Sequence, residues 1–337
     1  MTKTKQIFIV GSSRSGTTMM GRILNNHPKI FTFRELHFFG TIWTNSSPIK
    51  LSNDESEALL SKLLCIQEYG IFNQQHIEEF DNKAKQMLIQ NHTTKPLEIY
   101  ALFLKHISAS NSSSISCEQT PKNMYYLNEI LDYFPDAKVI NMVRDQRDVL
   151  LSQKKKWKRR FLGASKIPLS EAIRSFINYH PITTAKVWNS SLMLSFKNQN
   201  NARVKIVKFE QLLSNSATIV KEICHFLEIE YYKEMLKVPL IGSSTAKDTK
   251  NDLLIDGTKI EKWKKSGLTN AEVYLSQIVS HKMMTQFLYD IKKFSFPPLL
   301  TLFYLITFPI KLGLAFLLNI NRMGNIFEVI KKRFFIQ

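Results

Sequence analysis

Short apolar runs alternate with amphipathic stretches along most of the chain. The apolar runs begin near residues 6, 29, 115, 138 and 203, and segments with helical periodicity separate them. Runs of this kind are typical of buried strands, whereas repeats at three and four residues are typical of helices. Strands that alternate with helices predict a central parallel sheet flanked by helices on both faces, which is an α/β, three-layer fold.

The predicted helices have recognisable ends. Pro121 stands at a first helical position, and Asp145 is placed to cap a helix that continues to about Trp157. Gly70 separates two predicted helices in the first half of the chain. Residues 239–259 are rich in small and polar side chains and predict a loop before the last helix of the main domain.

The C-terminal tail has a different pattern. Residues 297–320 are almost entirely apolar, with Pro309 and Gly313 among the interruptions and basic residues on both sides. The run is long enough to cross a bilayer, but each part is too short to span one alone. Three interpretations stay open: a membrane-surface or re-entrant segment, a docked pair of core helices, and a true span. We divide the chain into a domain at residues 1–292 and a tail at residues 293–337. Our leading hypothesis for the tail is that it associates with a membrane.

Composition and charge narrow the class of partner. The 337 residues include 46 Lys and Arg against 28 Asp and Glu, a formal net charge of +18, and 44% are hydrophobic. This balance favours anionic partners such as nucleotides, sulfated or phosphorylated molecules, or an anionic membrane. We expect no nucleic-acid partner, because no known nucleic-acid-binding motif appears. Three widely spaced cysteines and an expected lack of a signal peptide predict a cytoplasmic protein.

The first predicted strand runs into a loop with the spacing of a phosphate cradle. Gly11 follows the apolar residues 7–10, Gly16 comes later in the loop, and a helix begins at about Thr17. Glycines allow the tight turn, loop N–H groups converge on an anion, and the helix N-terminus adds about half a positive charge. The pattern matches G-x-x-x-x-G-K-[ST] except that Thr17 replaces the lysine and Arg14 provides the cation. It predicts a P-loop-type fold.

Two motifs together resemble those of the sulfotransferases that use 3′-phosphoadenosine 5′-phosphosulfate (PAPS). They are R-S-G-T-T at residues 14–18 and R-D-Q-R-D-V at residues 144–149 followed by Ser152, with K-W at residues 262–263 adding to the likeness. The chain is most similar to the tyrosylprotein-sulfotransferase-like branch and its bacterial relatives. The likeness implies a sulfotransferase domain at residues 1–292 that binds PAPS, leaves 3′-phosphoadenosine 5′-phosphate (PAP) and needs no metal ion.

The resemblance also implies the residues that hold PAPS. The 5′-phosphosulfate would contact the N–H groups, hydroxyls and guanidinium of the loop residues Arg14, Ser15, Gly16, Thr17 and Thr18. The 3′-phosphate would contact Arg144 and Ser152, with Lys156 four residues further along the same helix face. A solvated position in a basic run is the alternative for Lys156. Lys262 resembles a further cofactor-binding lysine.

A carboxylate after the second strand is the predicted general base. Glu35 follows residues 29–34, at a distance from Arg14 that resembles the spacing of the catalytic glutamate in the tyrosylprotein branch. It could take the proton of an acceptor hydroxyl as the oxygen attacks sulfur, while Arg14 stabilises the leaving phosphate as a second catalytic residue. His37 is the rival base, and an ion pair with a neighbouring arginine is the structural alternative for Glu35.

Two positions depart from the family pattern. Gln119 in E-Q-T-P stands where the resemblance would place a lysine that stabilises the transferring sulfuryl group, and Phe209 stands where a tyrosine is common. Glutamine donates a hydrogen bond but carries no charge. Stabilisation of the transition state is therefore weaker unless Arg14 or Lys122 compensates.

The residues predict sulfuryl transfer from PAPS to a hydroxyl of a peptide tyrosine, a saccharide, a lipid or a small molecule. The missing lysine and the apolar tail leave open a non-catalytic, membrane-associated protein that binds PAPS. A P-loop kinase or NTPase would need a lysine at Thr17 and an acid after the strand at residues 138–143, where Arg144 stands. A family serine near the reacting group would be Ser243 or Ser244.

Overall fold

The central sheet is entirely parallel, as the alternation of strands and helices predicts. The structure, a computed structural model, describes residues 5–239, 255, 257–320 and 325–334. In these residues the strand order is β2-β3-β1-β4-β5. The strands are β1 (Lys5–Gly11), β2 (Ile30–Thr32), β3 (Ile115–Glu118), β4 (Lys138–Val143) and β5 (Val204–Lys208).

Helices flank the sheet and extend into the C-terminal tail. In chain order they are α1 (Thr17–Asn25), α2 (Asn53–Tyr69), α3 (Asp81–Asn91), α4 (Pro96–Ser110), α5 (Leu127–Tyr133), α6 (Gln146–Lys154), α7 (Leu169–Ile177), α8 (Pro181–Lys197), α9 (Phe209–Ser214), α10 (Ser216–Leu227), α11 (Lys262–Lys265), α12 (Asn270–Gln286), α13 (Leu300–Leu317) and α14 (Ile326–Phe334). The 3-10 helices include Pro121–Tyr126 and Lys156–Phe161.

Alternate side chains of β1 supply two apolar cores. Phe8 and Val10 pack in a cluster with residues of α2 and α4, whereas Ile7 and Ile9 pack in a second cluster with α1 and α10. All four side chains are 1% exposed or less. Because successive residues of a strand point to opposite faces, this one strand anchors both helical layers and places its C-terminal loop at the centre of one sheet edge.

Two predicted helices are shorter than expected. Asp145 caps α6 by accepting a hydrogen bond from the Arg147 N–H group at 2.8 Å, but α6 ends at Lys154 rather than near Trp157. The segment that starts at Pro121 is a 3-10 helix before it becomes α5. The predicted loop at residues 239–259 lies largely outside the described residues, and so do Ser243 and Ser244.

The apolar tail contains one long helix rather than two halves. α13 continues through Pro309, so the predicted interruption is wrong. A proline removes one backbone hydrogen bond and can kink a helix without ending it. The 18 residues Leu300–Leu317 have a mean hydropathy of 1.9, and only 6% of them are buried. This exposure argues against the docked pair of core helices, and contact with a membrane stays a prediction.

The end of the tail folds back onto the main domain. Val329 of α14 is 2% exposed, and Glu328 accepts hydrogen bonds from the backbone of Asn45 at 3.2 Å and from Ser46 Oγ at 3.3 Å. α13 is tied to α7 through Asn319, whose Oδ1 accepts a hydrogen bond from Arg174 Nη1 at 2.7 Å. The proposed boundary near residue 292 therefore separates two segments with different patterns of apolar residues. The two segments are in contact in the folded protein.

Candidate active site

The two sequence motifs meet at the edge of the sheet formed by the carboxyl ends of the strands. The loop after β1 and the residues after β4 are neighbours there, because β1 and β4 are adjacent parallel strands. Arg144 Nη1 donates a hydrogen bond to the carbonyl oxygen of Arg14 at 3.2 Å. This bond joins motifs that are 130 residues apart in the chain.

Two glycines give the loop its shape. Gly11 has a φ of 142° and Gly16 a φ of 97°, and both values disfavour other residues. A Cβ atom on Gly11 would lie 2.3 Å from the carbonyl oxygen of Met142, and one on Gly16 would lie 2.3 Å from Cδ2 of Phe209. The loop therefore needs glycine at both positions, for its backbone conformation and for close packing.

Arg14 lies across the site and contacts the second motif. Its Nε donates a hydrogen bond to Ser152 Oγ at 2.9 Å. Burial, followed by the nearby charges of Arg159 and Arg144, lowers the pKa of Arg14 to about 10, and Glu35 opposes this shift. The guanidinium stays charged at neutral pH. The structure thus brings Arg14 and Ser152 together, although the resemblance assigns them to different ends of PAPS.

Arg144 is fixed from three sides. Its guanidinium lies 4.5 Å from the centre of the Phe209 ring, and its Nη2 lies 3.8 Å from Asp148 Oδ2. Its carbonyl oxygen accepts a hydrogen bond from Trp188 Nε1 at 2.9 Å. Phe209 lacks the hydroxyl of a tyrosine, but its ring still supports both Arg144 and the glycine loop. Phenylalanine at position 209 therefore keeps the stacking function of an aromatic residue.

A second, buried ion pair, between Arg147 and Asp145, supports the site. Arg147 Nη2 lies 2.6 Å from Asp145 Oδ2, and both side chains are at least nine-tenths buried. The Arg147 guanidinium also lies 3.9 Å from the Trp263 ring. The Trp263 N–H group donates to Asp148 Oδ1 at 2.9 Å, which holds α11 and its first residue, Lys262, against α6. Arg147 and Asp148 are therefore structural residues of the site.

Glu35 is an ionised, accessible carboxylate. Its side chain is 41% exposed, and Oε2 lies 3.4 Å from His37 Nε2. Desolvation acts to raise the pKa of Glu35, but the hydrogen bond and charge of His37 and the charges of Lys156 and Arg14 lower it below the ordinary value. Among the described residues, no arginine forms an ion pair with Glu35. The position combines the charge and the access that a general base needs.

Lys156 interacts electrostatically with Arg14 and Glu35. The prediction of a helix face shared with Ser152 is wrong, because α6 ends at Lys154 and Lys156 begins a 3-10 helix. Burial and the charge of Arg14 lower the pKa of Lys156 to about 8, while Glu35 acts in the opposite direction. Its ammonium can therefore lose its proton slightly above neutral pH.

Gln119 is directed into the fold. Its Nε2 donates a hydrogen bond to the carbonyl oxygen of Phe33 at 3.0 Å, and a Cβ atom on Gly21 would lie 2.6 Å from Gln119 Oε1. The side chain therefore joins the segment after β2 to the end of β3 beside α1. In this conformation it cannot replace a lysine that reaches toward a transferring group.

Glu118 is a site residue whose role the sequence did not reveal. This carboxylate is 1% exposed and accepts hydrogen bonds from the N–H groups of Leu36 at 3.4 Å and Thr120 at 3.1 Å. Burial raises its pKa to about 7, against the effect of these donors. Glu118 thereby holds the backbone of Leu36, the residue directly after the predicted base Glu35. Glu118 is the first residue of the motif E-Q-T-P, whereas the sequence pattern singled out only the second residue, Gln119.

The buried donors of the loop fit an anionic ligand. Ser15 Oγ and Arg144 Nε are buried and have no hydrogen-bond partner within the part of the chain that the structure describes. Buried polar atoms normally have partners, so unpaired donors beside a glycine cradle favour a bound anion. The residues present thus fit the phosphate groups that the resemblance implies.

Comparison with known proteins shows which protein family the chain belongs to. A sequence profile described as "Sulfotransferase family" matches residues 6–234, and the chain belongs to this family, as its two motifs predicted. The chain is similar to the sulfotransferase domain of the olefin synthase from Synechococcus PCC 7002, with 19% identity, coverage of 86% of this chain and 96% of that chain, and a TM-score of 0.51.

A second solved structure has the same fold. The sulfotransferase domain from the curacin biosynthetic pathway is 18% identical, with coverage of 85% of this chain and 98% of that chain and a TM-score of 0.53. At these identities the two likenesses show the fold alone. The chain has no significant match among curated protein sequences.

We predict that Gly16→Ala destabilises the protein by about 1 to 3 kcal/mol, because the loop backbone is strained for alanine and the new methyl group meets Phe209. The matched control is Gly313→Ala in α13, where a Cβ atom meets nothing within 4 Å. We expect the control to be neutral or stabilising, since alanine is the better helix former. Urea unfolding of the full chain measures both, and equal effects at the two positions would contradict the prediction.

Proposed function

We propose that the protein transfers a sulfuryl group from PAPS to a hydroxyl of an acceptor. The observation that carries the proposal is the meeting of Arg14, Arg144 and Glu35 at one sheet edge, where the two arginines are joined by a hydrogen bond of 3.2 Å. Sulfuryl transfer needs cations for an anionic donor and a base for the acceptor, and this edge combines them. Membership of the sulfotransferase family supports the same reaction.

In this proposal the loop and the β4–α6 junction hold the donor. Loop residues 14–18 contact the 5′-phosphosulfate, and Arg144 and Ser152 contact the 3′-phosphate, with Lys262 as a further contact. The unpaired buried donors Ser15 Oγ and Arg144 Nε are suited to phosphate oxygens. Bound PAPS supplies the sulfuryl group, and the proposal includes no metal ion.

Glu35 acts on the acceptor. It takes the hydroxyl proton while the acceptor oxygen forms a bond to sulfur and the bond between sulfur and the 5′-phosphate oxygen breaks. His37 holds the carboxylate in place through its contact at 3.4 Å. Arg14 and the loop N–H groups stabilise the charge that develops on the departing phosphate.

A second candidate function is PAPS binding without catalysis. One observation favours it: Gln119 is bound to the carbonyl oxygen of Phe33 and carries no charge. The cation that the family lysine would supply must then come from another residue. Lys156 and Lys122 are the candidates, because the charge of each interacts with that of Glu35.

The tail is proposed as a membrane-contacting surface of a cytoplasmic protein. α13 exposes Leu302 and Ile306, each 63% exposed, and α7 exposes Phe176 by 56%. Lys311 of α13 lies 5.2 Å from the Phe176 ring, so these two helices with exposed apolar side chains are in contact. Exposed apolar patches of this kind are typical of membrane or protein contacts.

We predict that Glu35→Gln lowers transfer from radiolabelled PAPS by about 100- to 10,000-fold, because the acceptor proton loses its base. Calorimetric titration with PAP should show an unchanged donor affinity. The assay uses phenol, sugar and glycolipid acceptors, and EDTA should leave the wild-type rate unchanged. Binding of PAPS without transfer to any acceptor would favour the non-catalytic function, whereas ATP turnover that requires magnesium would contradict both.

We predict that kcat/KM falls as the pH rises through about 8, because Lys156 then loses the charge that it has at lower pH. Lys156→Arg should move this decline to higher pH, since arginine stays protonated. The exposed neighbour Lys158 offers the control Lys158→Arg, which should leave the profile unchanged. A profile that Lys156→Arg does not alter would remove Lys156 from the reaction.

We predict that vesicles of phosphatidylcholine bind the full chain and that Leu302→Lys with Ile306→Lys lowers this binding at least tenfold, because two ammonium groups must enter the apolar phase. Co-sedimentation measures the bound fraction. The control pair Ile49→Lys and Ile89→Lys replaces exposed residues of the main domain, which are 84% and 61% exposed. Solubility without detergent for every variant, and no vesicle binding, would contradict the prediction.

A further inference from the structure

The polar side chains of α13 and its C-terminal end are turned toward the main domain. Thr301 is 8% exposed, and Tyr304, Lys311 and Asn319 are partly buried. These four positions follow one another at intervals of three, seven and eight residues, which bring them to one face of a helix. A surface helix of a soluble protein normally turns its apolar side chains toward the core, so the polarity of this helix is reversed.

The exposed face of the helix is apolar over its whole length. Every exposed residue from 300 to 320 is apolar or glycine. Leu302, Ile306, Ile310 and Leu317, which recur at intervals of four and seven residues, are 63%, 63%, 64% and 65% exposed. They form one outward stripe, opposite to the polar residues.

The polar face is bound to the main domain near both ends of α13. His180 Nε2 donates a hydrogen bond to the carbonyl oxygen of Tyr304 at 3.0 Å. Arg174 Nη1 donates to Asn319 Oδ1 at 2.7 Å, and Asn319 Nδ2 donates to Asn178 Oδ1 at 3.0 Å. Arg174 belongs to α7, and Asn178 and His180 lie between α7 and α8. The helix is therefore attached to one region of the main domain.

The segments before and after α13 are bound to the main domain as well. The Lys292 N–H group donates to Gln277 Oε1 at 3.1 Å, and Gln277 Nε2 donates to the Lys292 carbonyl oxygen at 2.9 Å. Beyond the helix, the Asn45 N–H group donates to Glu328 of α14 at 3.2 Å. A spanning helix has its ends on opposite sides of a hydrocarbon core about 30 Å thick. α13 can span a bilayer only if one of these attachments breaks.

α7 adds a second exposed apolar face next to α13. Leu169, Ile173 and Phe176 are 54%, 52% and 56% exposed. Their spacing of four and three residues brings them to one face of α7. Because Lys311 lies 5.2 Å from the Phe176 ring, this face adjoins α13.

The charge of this region favours an anionic partner. Residues 291–320 contain Lys292, Lys293 and Lys311 but no aspartate or glutamate, and the first two lysines are exposed. Lysines beside an apolar face attract anionic lipid headgroups, whereas a second copy of the chain would bring the same positive charges.

We propose that α13 and the exposed face of α7 lie in the plane of one leaflet of a bilayer that contains anionic lipids. The apolar side chains enter the boundary of headgroups and acyl chains to about 5–10 Å, and the polar residues of α13 stay on the main domain. Both ends of α13 are then on the same side of the membrane. The inference rests on the proposed membrane contact of the tail and adds the geometry of that contact.

The first test measures the depth of the outward stripe after the full chain is reconstituted, by detergent removal, into bilayers of phosphatidylcholine and phosphatidylglycerol. Leu302→Cys, Ile310→Cys and Leu317→Cys each carry an NBD fluorophore, which nitroxide lipids of two depths quench. The native cysteines are buried, so the introduced thiol reacts. We expect the three depths to agree within about 5 Å. A span, at about 1.5 Å per residue, would place Ile310 about 12 Å deeper than Leu302 and would overturn the inference.

The second test asks whether α7 contacts the lipid. Leu169→Gln with Ile173→Gln removes apolar side chains without adding charge and should lower the affinity for the same vesicles at least about fivefold. The control pair Ile49→Gln with Ile89→Gln, on the exposed surface of the main domain, should change it less than about twofold. A spanning helix needs no contact from α7, so equal effects of the two pairs would contradict the proposed geometry.

The third test concerns the charge of the leaflet. Vesicles with phosphatidylglycerol should bind the chain at least about fivefold more tightly than phosphatidylcholine alone, and salt should reduce the difference. Lys293→Gln with Lys311→Gln should lower this preference, whereas Lys50→Gln with Lys85→Gln, two exposed lysines elsewhere, should preserve it. Equal affinity for the two kinds of vesicle would rule out an anionic leaflet as the partner.

Two kinds of failure can be told apart. A chain that binds no vesicles and forms a dimer in sedimentation experiments without lipid would reject the membrane contact itself and identify a second copy as the partner. A chain that binds vesicles with the depth profile of a span would overturn the in-plane geometry alone. Unchanged thermal unfolding of the variants shows that they are folded.

Discussion

The contact between Arg144, Phe209 and Gly16 is the constraint on which the rest of the site depends. The Phe209 ring fills the space that a side chain on Gly16 would need and supports the guanidinium of Arg144. Arg144 in turn holds the carbonyl oxygen of Arg14. The loop after β1 and the start of the helix after β4 are thereby held together at one edge of the sheet.

Charge is distributed unevenly around this surface. The structural arginine, Arg147, is buried with its partner Asp145, so it adds no free charge to the edge. Arg14 and Lys156 instead both interact with the carboxylate of Glu35. The hydrogen bond to His37, followed by the nearby positive charges, keeps Glu35 ionised. The excess of cations favours anionic ligands, at the cost of mutual repulsion that a bound anion relieves.

Much of the fold follows from local patterns. The parallel sheet and most helices agree with their predicted positions, because buried strands and amphipathic helices have distinct periods and the connections between them are short. Pro309 shows the limit of such rules, since the proline suggested an interruption and α13 continues through it. Lys156 shows another limit. Its predicted helix face assumed that α6 continued, and where a helix ends depends on packing beyond its own sequence.

The sequence by itself determined the family, the glycine loop and the pairing of that loop with a second basic motif. These features are local: a positive φ requires glycine, and an arginine after a strand reaches the edge where parallel strands end. Only the tertiary structure decided that Gln119 bonds to the carbonyl oxygen of Phe33 and that Glu118 accepts a hydrogen bond from the Leu36 N–H group, next to Glu35. Those relations join residues that are far apart in the chain, and side-chain packing between layers, which no local pattern encodes, brings them together.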